Sequence, residues 1–360
     1  MENARQKVAV LRGDGVGPEV VDATAEVVAA AAQACHLQLE FCPAKVGWTS
    51  YRQQGTTLPA ETLAVLEECR AWIVGPTSAG DYPSDDPVRG HPSGYMRRHF
   101  ELFANIRPVR AWPKLSALVP ELATTIIREN TEGFYPDRNL HWGYGEFMPT
   151  RDVALSLRVI TREACTRFAR LSLAYAQAEG KEKVVVVHKR TALPRTDGVF
   201  LEAFEEAQQD FPGICVEPMR IDTFSSLLPQ EPQRFGVVAT TNLFGDIISD
   251  QASGLVGGVG LAPSLNAGTE HAMAQAVHGT AEDIAGKRVA NPTALILSAA
   301  MLFEWLARSG AGSGWRDAGI LIRDAIELVL YSGVRTPDLG GQASTSDITA
   351  AVVHSIEKRQ

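Results

Sequence analysis

The chain has 360 residues, of which 45% are hydrophobic and 21% charged, and carries a formal net charge of −8. That length exceeds what one compact core usually holds, so two domains are the default expectation, each with a core of ordinary size. The acidic balance, without any block of like charges, argues against a nucleic-acid partner.

The cysteines, Cys35, Cys42, Cys69, Cys165 and Cys215, are scattered and form no CxxC pair. This reads as reduced thiols in a cytosolic protein, with no disulfide framework and no zinc site. The N-terminal stretch MENARQKVAVLRGDG lacks a signal-peptide core, and no apolar run reaches membrane-spanning length. A cytoplasmic protein without a membrane partner is therefore expected.

Taken in chain order, KVAVL (7–11) has the pattern of a buried strand, and residues 19–34 carry a helical apolar stripe. Between them lies GDGVGPEV (13–20), which superficially suggests dinucleotide binding. Its glycine spacing is G-x-G-x-G, with Pro18 at the expected third glycine, so a tight turn into a helix is an equal reading. AWIVG, ATTIIR, KVVVVH and FGVVAT follow as short β-rich runs, with helices between them. Thr161 can cap a helix with Glu163 in its first turn and Gly180 at its end; Asn291-Pro292 opens another, which Gly310 closes. The alternation predicts an α/β architecture with a mixed, largely parallel sheet.

Four groups of residues carry chemical interest. Arg97, Arg98, Arg107 and Arg128 form the first, and of these Arg107 and Arg128 lie beside apolar strand-like sequence, an expensive place for a cation without an anionic partner. Converging guanidinium forks would bind carboxylates; ion pairs with Glu101 or Glu129 are the structural alternative. Lys189 ends an apolar strand, where partial desolvation would make it a usable base, although it could equally snorkel into solvent. His188 beside it reads as structural.

The third group is TTNLFGDIISD (240–250). Asp246 and Asp250 stand at i and i+4 directly after an apolar strand, on one helix face about 6 Å apart. Alone, such a pair is more often a solvated face. At the carboxyl end of a sheet it can share a hard cation, Mg²⁺ or Mn²⁺. The fourth is HGTAEDIAGKRVANP (278–292), a loop of small residues with Asp283. It would let a flat ligand approach the backbone while a carboxylate accepts from ribose hydroxyls; a purely structural loop is the alternative.

Together, LRGDGVGPEV, MRRHFELFANIRP, IIRENTEGFY, VVVVHKRTAL, TTNLFGDIISD and VHGTAEDIAGKRVANPTALILSAAMLFEW resemble the β-decarboxylating dehydrogenases. That family comprises the isocitrate, isopropylmalate, homoisocitrate and tartrate/D-malate dehydrogenases. The resemblance implies their two-domain fold with an interdomain cleft, which is not a Rossmann fold. Residues 1–102 with 257–360 would form the cofactor-side domain, and 103–256 the second domain with the dimer interface.

At matching positions it implies that Arg97, Arg107 and Arg128 hold a di- or tricarboxylate substrate, with Ser93 also contacting it. Lys189 would take the hydroxyl proton and Tyr135 would protonate the product enolate. Asp222, Asp246 and Asp250 would ligate Mg²⁺ or Mn²⁺, easing hydroxyl deprotonation and stabilising the enolate. His278, Gly279, Thr280, Ala281, Asp283 and Asn291 would hold the cofactor. Asp283 favours NAD, because a carboxylate repels the 2′-phosphate of NADP. A homodimer is implied, with Lys189 and Asp222 reaching the site from the other subunit.

The chain departs from its relatives in three places. Ser93 and Gly94 stand where isopropylmalate enzymes resemble one another in a leucine pair, so a small or polar substituent on a D-malate backbone is expected. Isocitrate, homoisocitrate and isopropylmalate are the alternatives in the same reaction class. A catalytically silent regulatory paralogue is the alternative from another class. Gln275 replaces the family's common glutamate before the HG of the cofactor loop, and Arg190 places an extra cation beside Lys189.

Overall fold

The computed structural model describes residues 5–83, 85–88, 91–135, 140 and 143–359. Its residues fall into two compact units. The first comprises Met1–Tyr95, Trp112–Ser116 and Gly257–Gln360, and the second Met96–Ala111 and Ala117–Val256.

The first unit opens with β1 (Gln6–Leu11), α1 (Gly17–Ala34), β2 (Leu39–Ala44), α2 (Trp48–Gln54), α3 (Ala60–Glu68) and β3 (Ala71–Val74). Helix α4 (Pro92–His99) leads into the second unit. There follow β4 (Ala104–Arg110), β5 (Ala123–Glu129), the pair β6 (Glu146–Thr150) and β7 (Val153–Ser156), α5 (Arg162–Ala178), β8 (Lys183–His188), α6 (Thr196–Gln208), β9 (Cys215–Arg220), α7 (Ile221–Leu227), β10 (Val237–Thr240) and α8 (Asn242–Val256). The chain then returns to the first unit with β11 (Leu265–Ala267), β12 (Ala272–Ala274), α9 (Thr293–Leu306), α10 (Gly314–Ser332) and α11 (Thr345–Glu357).

In the first unit β2, β1, β3 and β12 run parallel in that order, with β11 antiparallel to β12. Its core is largely aliphatic, with Val20, Val27, Ile73, Ile296, Ile322 and Val352 and the aromatic Phe303 buried around α9. That helix has the apolar length to be mistaken for a membrane span within Thr293–Ala311, but it packs against α1, α10 and β12. Asn291 Oδ1 accepts the Thr293 amide at 3.0 Å, satisfying a free N–H at its start. Gly310, at φ 91°, lies in the tight turn that follows it.

In the second unit β4 is antiparallel to β5, and β5, β10, β8 and β9 continue in parallel. Its core joins Ile126, Val185, Val187, Phe224, Phe235, Val238 and Ile248. Thr161 caps α5 by accepting the Ala164 amide, with Glu163 in the first turn, as its sequence predicts. Strands β2 and β9 carry Pro43 and Pro218 and each stands at one end of its own unit's strand order, where a missing N–H is tolerated.

Candidate active site

The arginines converge because of strand register. In the antiparallel β4–β5 pair, Asn105 lies opposite Arg128 and Arg107 opposite Ile126. Asn105 and Arg107 are two apart on β4 and so share a face, which Arg128 joins from the neighbouring strand. Parallel pairing then sets Thr240, the last residue of β10, beside Arg128, and α8 starts two residues later. Asp246 and Asp250, one turn apart on α8, are thereby delivered to both guanidinium groups.

The resulting network is dense. Arg107 is 5% exposed and Arg128 is 2% exposed. Arg107 donates to Asn105, to Ser249 at 2.6 Å, to Asp246 at 3.3 Å and to Asp250 at 3.5 Å. Arg128 donates to Asp246, to Tyr135 Oη at 2.8 Å and twice to Asn242 Oδ1, at 2.9 and 2.7 Å. Tyr135 in turn donates its hydroxyl proton to Asp246 Oδ2 at 2.7 Å. The anionic partners of the buried arginines are thus Asp246 and Asp250. Glu101 pairs with Arg167 at 3.1 Å, and Glu129 accepts from the backbone of Thr131 and Glu132.

Electrostatics follow from this packing. Burial and the neighbouring charge of Arg128 lower Arg107 to about 10 against the pull of Asp246 and Asp250, so it stays charged at neutral pH. Burial pushes the Asp246 carboxyl up, but Arg128, Arg107, Tyr135 and Arg97 outweigh it and hold it below the ordinary value. Arg97 on α4 therefore belongs to the same electrostatic cluster. Asp250 is raised, because burial and the charge of Asp246 exceed the help it receives from Arg107.

Two half-exposed carboxylates one helical turn apart are a donor set that fits a hard divalent cation. Among the described residues no group of three His, Cys, Asp or Glu side chains is placed to hold one. Asp222, the third expected ligand, stands elsewhere in the unit, paired with Lys189 Nζ at 2.9 Å. That pair is anchored from below. Asp197, fully buried, accepts the Lys189 amide and pairs with Arg158 at 2.6 Å. His188 Nδ1 accepts the Arg190 amide at 2.9 Å, and burial lowers its pKa, which suits the structural role expected for it.

In the first unit the residues expected at a cofactor divide. His278, Gly279, Ala281 and Asn291 line a groove of about 590 Å³ with Val16, Gly258 and Asp338. His278 Nε2 is buried there without a hydrogen-bond partner, a polar atom available to a ligand. Asp283 is exposed on the same loop, outside the groove lining. Asn291 is already occupied, donating to Asp338 at 3.0 Å and capping α9. The GDGVGPEV turn serves packing: Gly15, at φ +56°, lies against the Thr280 carbonyl, which accepts the Val16 amide at 2.9 Å. A Cβ on Gly15 would come within 2.1 Å of that oxygen. Ser93 sits on α4, one turn before Arg97; Arg89 and Gly90 of the same RGHPSGYM stretch lie outside the described residues.

Sequence reasoning missed Asn105, Asn242, Gly245, Ser249 and Asp197. Asn242, Gly245 and Ser249 lie inside TTNLFGDIISD and Asn105 inside MRRHFELFANIRP, and of these Asn242 carried the further signal of beginning a helix at the end of a strand.

The chain matches the isocitrate/isopropylmalate dehydrogenase family over residues 7–352. It is 39% identical over 356 residues to an isocitrate/homoisocitrate dehydrogenase of Thermus thermophilus, covering 98% of both chains. It is equally 39% identical over 351 residues to a 3-isopropylmalate dehydrogenase of Methanothermobacter thermautotrophicus, again covering 98% of both. Among solved structures, an isocitrate dehydrogenase from Methylococcus capsulatus superimposes with a TM-score of 0.86 at 34% identity, covering 99% of this chain and 100% of that one. Equal identity to enzymes named for different substrates leaves the choice of substrate to the pocket.

Proposed function

The chain belongs to the isocitrate/isopropylmalate dehydrogenase family and is a decarboxylating dehydrogenase, and on that premise we propose that it oxidises a D-malate-type 2-hydroxy acid with a small or polar substituent. The products are a 2-keto acid and CO₂, with NAD as oxidant and Mg²⁺ or Mn²⁺ as the metal. The observation that carries this reading is the Arg107–Arg128–Tyr135–Asp246 network, in which cation, acid and metal-binding carboxylate touch one another.

Arg97, Arg107 and Arg128 hold the substrate carboxylates, the role for which buried guanidinium forks are suited. Asp246 and Asp250, with Asp222 from a second copy, would hold the metal, which would supply Lewis-acid polarisation of the hydroxyl. Lys189 takes the hydroxyl proton; NAD, which His278, Gly279, Ala281 and Asn291 would hold, would supply the hydride acceptor. Tyr135 then protonates the enolate, which requires its bond to Asp246 to be exchanged for one to the substrate. Ser93 and Gly94 face the substituent and offer no apolar surface. The exposed Asp283 beside the groove favours NAD over NADP.

The test is a panel of D-malate, the tartrates, isocitrate, homoisocitrate and isopropylmalate with NAD and Mn²⁺, following NADH and CO₂ together. One CO₂ per NADH and complete loss with chelator are expected. Isopropylmalate as the best substrate would overturn the pocket reading, and turnover without CO₂ would overturn the reaction.

A homodimer completes this proposal. The β6–β7 ribbon pairs with no other named strand and exposes Phe147 (46%), Met148 (61%), Val153 (43%) and Leu155 (45%). A lone two-stranded ribbon is marginal in water, so a second copy is the cover that lets it persist. Replacing Phe147 and Leu155 together by aspartate should yield a monomer in sedimentation. Activity should fall by about 10²-fold or more as Lys189 and Asp222 leave the partner's site. A double variant that sediments like the wild type would remove this assignment.

A further inference from the structure

In the first unit Gln275 lies buried at 7% exposure, close to Ser93. Its Nε2 donates to the Gly75 carbonyl at 3.3 Å and to Ser93 Oγ at 3.1 Å. Ser93 Oγ is also 3.1 Å from Thr77 Oγ1. Because the Gly75 carbonyl can only accept, the amide nitrogen must occupy this position, and the direction of both bonds follows. Ser93 therefore receives a proton from Gln275.

Proton counting gives the consequence. Ser93 and Thr77 have one hydroxyl proton each, and one of the two is consumed in the bond between them. Gln275 fills a lone pair on Ser93, so the remaining proton, on Ser93 or on Thr77, is left to be donated outward. A glutamate at 275 would reverse this. One carboxylate oxygen would face the Gly75 carbonyl with no proton between them, and the carboxylate would draw the Ser93 proton to itself. Thr77 would then donate to Ser93, and the pair would show only lone pairs outward.

We infer that Gln275 sets the Ser93–Thr77 pair as a hydrogen-bond donor toward the substrate's C3 substituent, so that the preferred substrate carries an acceptor oxygen there, a carboxylate or a hydroxyl. This rests on the proposed reading in which Ser93 faces that substituent. Gln275 is a positioning residue that determines specificity through Ser93. An aliphatic substituent leaves the outward proton unpaired and is disfavoured by a factor of about 10 to 100.

The experiment compares kcat/KM for tartrate, isocitrate, homoisocitrate and isopropylmalate, each as a ratio to D-malate, which has no substituent. Wild type, Gln275→Glu, Ser93→Ala and the double variant are measured at saturating NAD, so that any change in cofactor affinity cancels in the ratio. Wild type is expected to favour an acceptor-bearing substrate, and Gln275→Glu to lower that ratio by about 10-fold or more. In the Ser93→Ala background the Gln275→Glu change should leave the ratio unaltered. An unchanged ratio in Gln275→Glu overturns the inference, as does the same shift persisting without Ser93. Activity with an unaltered ratio defeats the inference alone; a wild type silent with every substrate defeats the functional reading, and the inference falls with it.

Discussion

Asp246→Asn is expected to lower kcat/KM by about 10³-fold or more while the chain remains folded. Asparagine has nearly the shape of aspartate, so the change isolates charge. Asp246 Oδ1 accepts from Arg128 and Arg107, and Oδ2 accepts the Tyr135 proton. The variant loses the anion that balances two buried cations, the stronger acceptor that orients Tyr135, the proposed acid, and one expected metal carboxylate. Asp250 touches only Arg107 among these side chains, at 3.5 Å, and is more exposed. Asp250→Asn should therefore fall less in activity, while raising the Mn²⁺ concentration needed for half-maximal rate. Steady-state kinetics across a Mn²⁺ series, with thermal unfolding as the control for folding, checks both. An Asp246→Asn enzyme within tenfold of wild type at ordinary Mn²⁺ would mean that this carboxylate is merely a counter-ion.

Gly245→Ala is the second large effect, and it reaches the site without touching a charge. Gly245 on α8 lies directly against Arg128, so close that an added Cβ would sit 2.6 Å from Arg128 Cβ, 2.7 Å from its Cγ and 3.2 Å from its Cα. Those are the inner atoms of the side chain and its backbone, on a buried strand, and they cannot swing aside as a flexible tip would. Either α8 lifts from β5 or Arg128 leaves its bonds to Asn242, Asp246 and Tyr135. A displacement near 1 Å at the guanidinium proposed to hold substrate costs about 10²-fold in rate, and the overpacking itself costs about 1–3 kcal/mol of stability. The expected signature is a raised KM together with a reduced kcat, and a lowered unfolding midpoint. Gly254, on the same helix with open space around its Cβ position, is the control: alanine there should leave both parameters close to wild type. Equal behaviour of the two alanine variants would show that the close approach has no functional weight.

Much of this protein was legible locally. KVAVL, KVVVVH and the other apolar runs are strands because short runs rich in β-branched and aromatic residues suit a buried pleated sheet. Thr161 and Asn291 mark helix starts because a short polar side chain can satisfy free N–H groups there. The i, i+4 spacing of Asp246 and Asp250 placed both carboxylates on one helix face by geometry alone, and the order of motifs identified the family. The hairpin β6–β7 and the edge strands β2 and β9 were not legible. Strands β2, β6 and β9 carry prolines and β7 has four residues, and what stabilises them is a neighbouring strand or a surface, not their own pattern.

The site itself was decided by tertiary structure. Nothing near Arg107 in the chain says that its partners are Ser249, Asp246 and Asp250, which lie about 140 residues away; the antiparallel β4–β5 register and the β5–β10 pairing bring them there. Glu129, next to Arg128, was the natural ion-pair candidate by proximity, yet successive strand residues point to opposite faces, and its carboxylate turns to the backbone of Thr131 and Glu132. Gln275 meets Ser93 across 182 residues. Periodicity, capping and short motifs are properties of a segment and survive in the sequence. The direction of a hydrogen bond, the partner of a buried cation and the room left beside a glycine belong to pairs of distant segments, and only the fold chooses which segments meet.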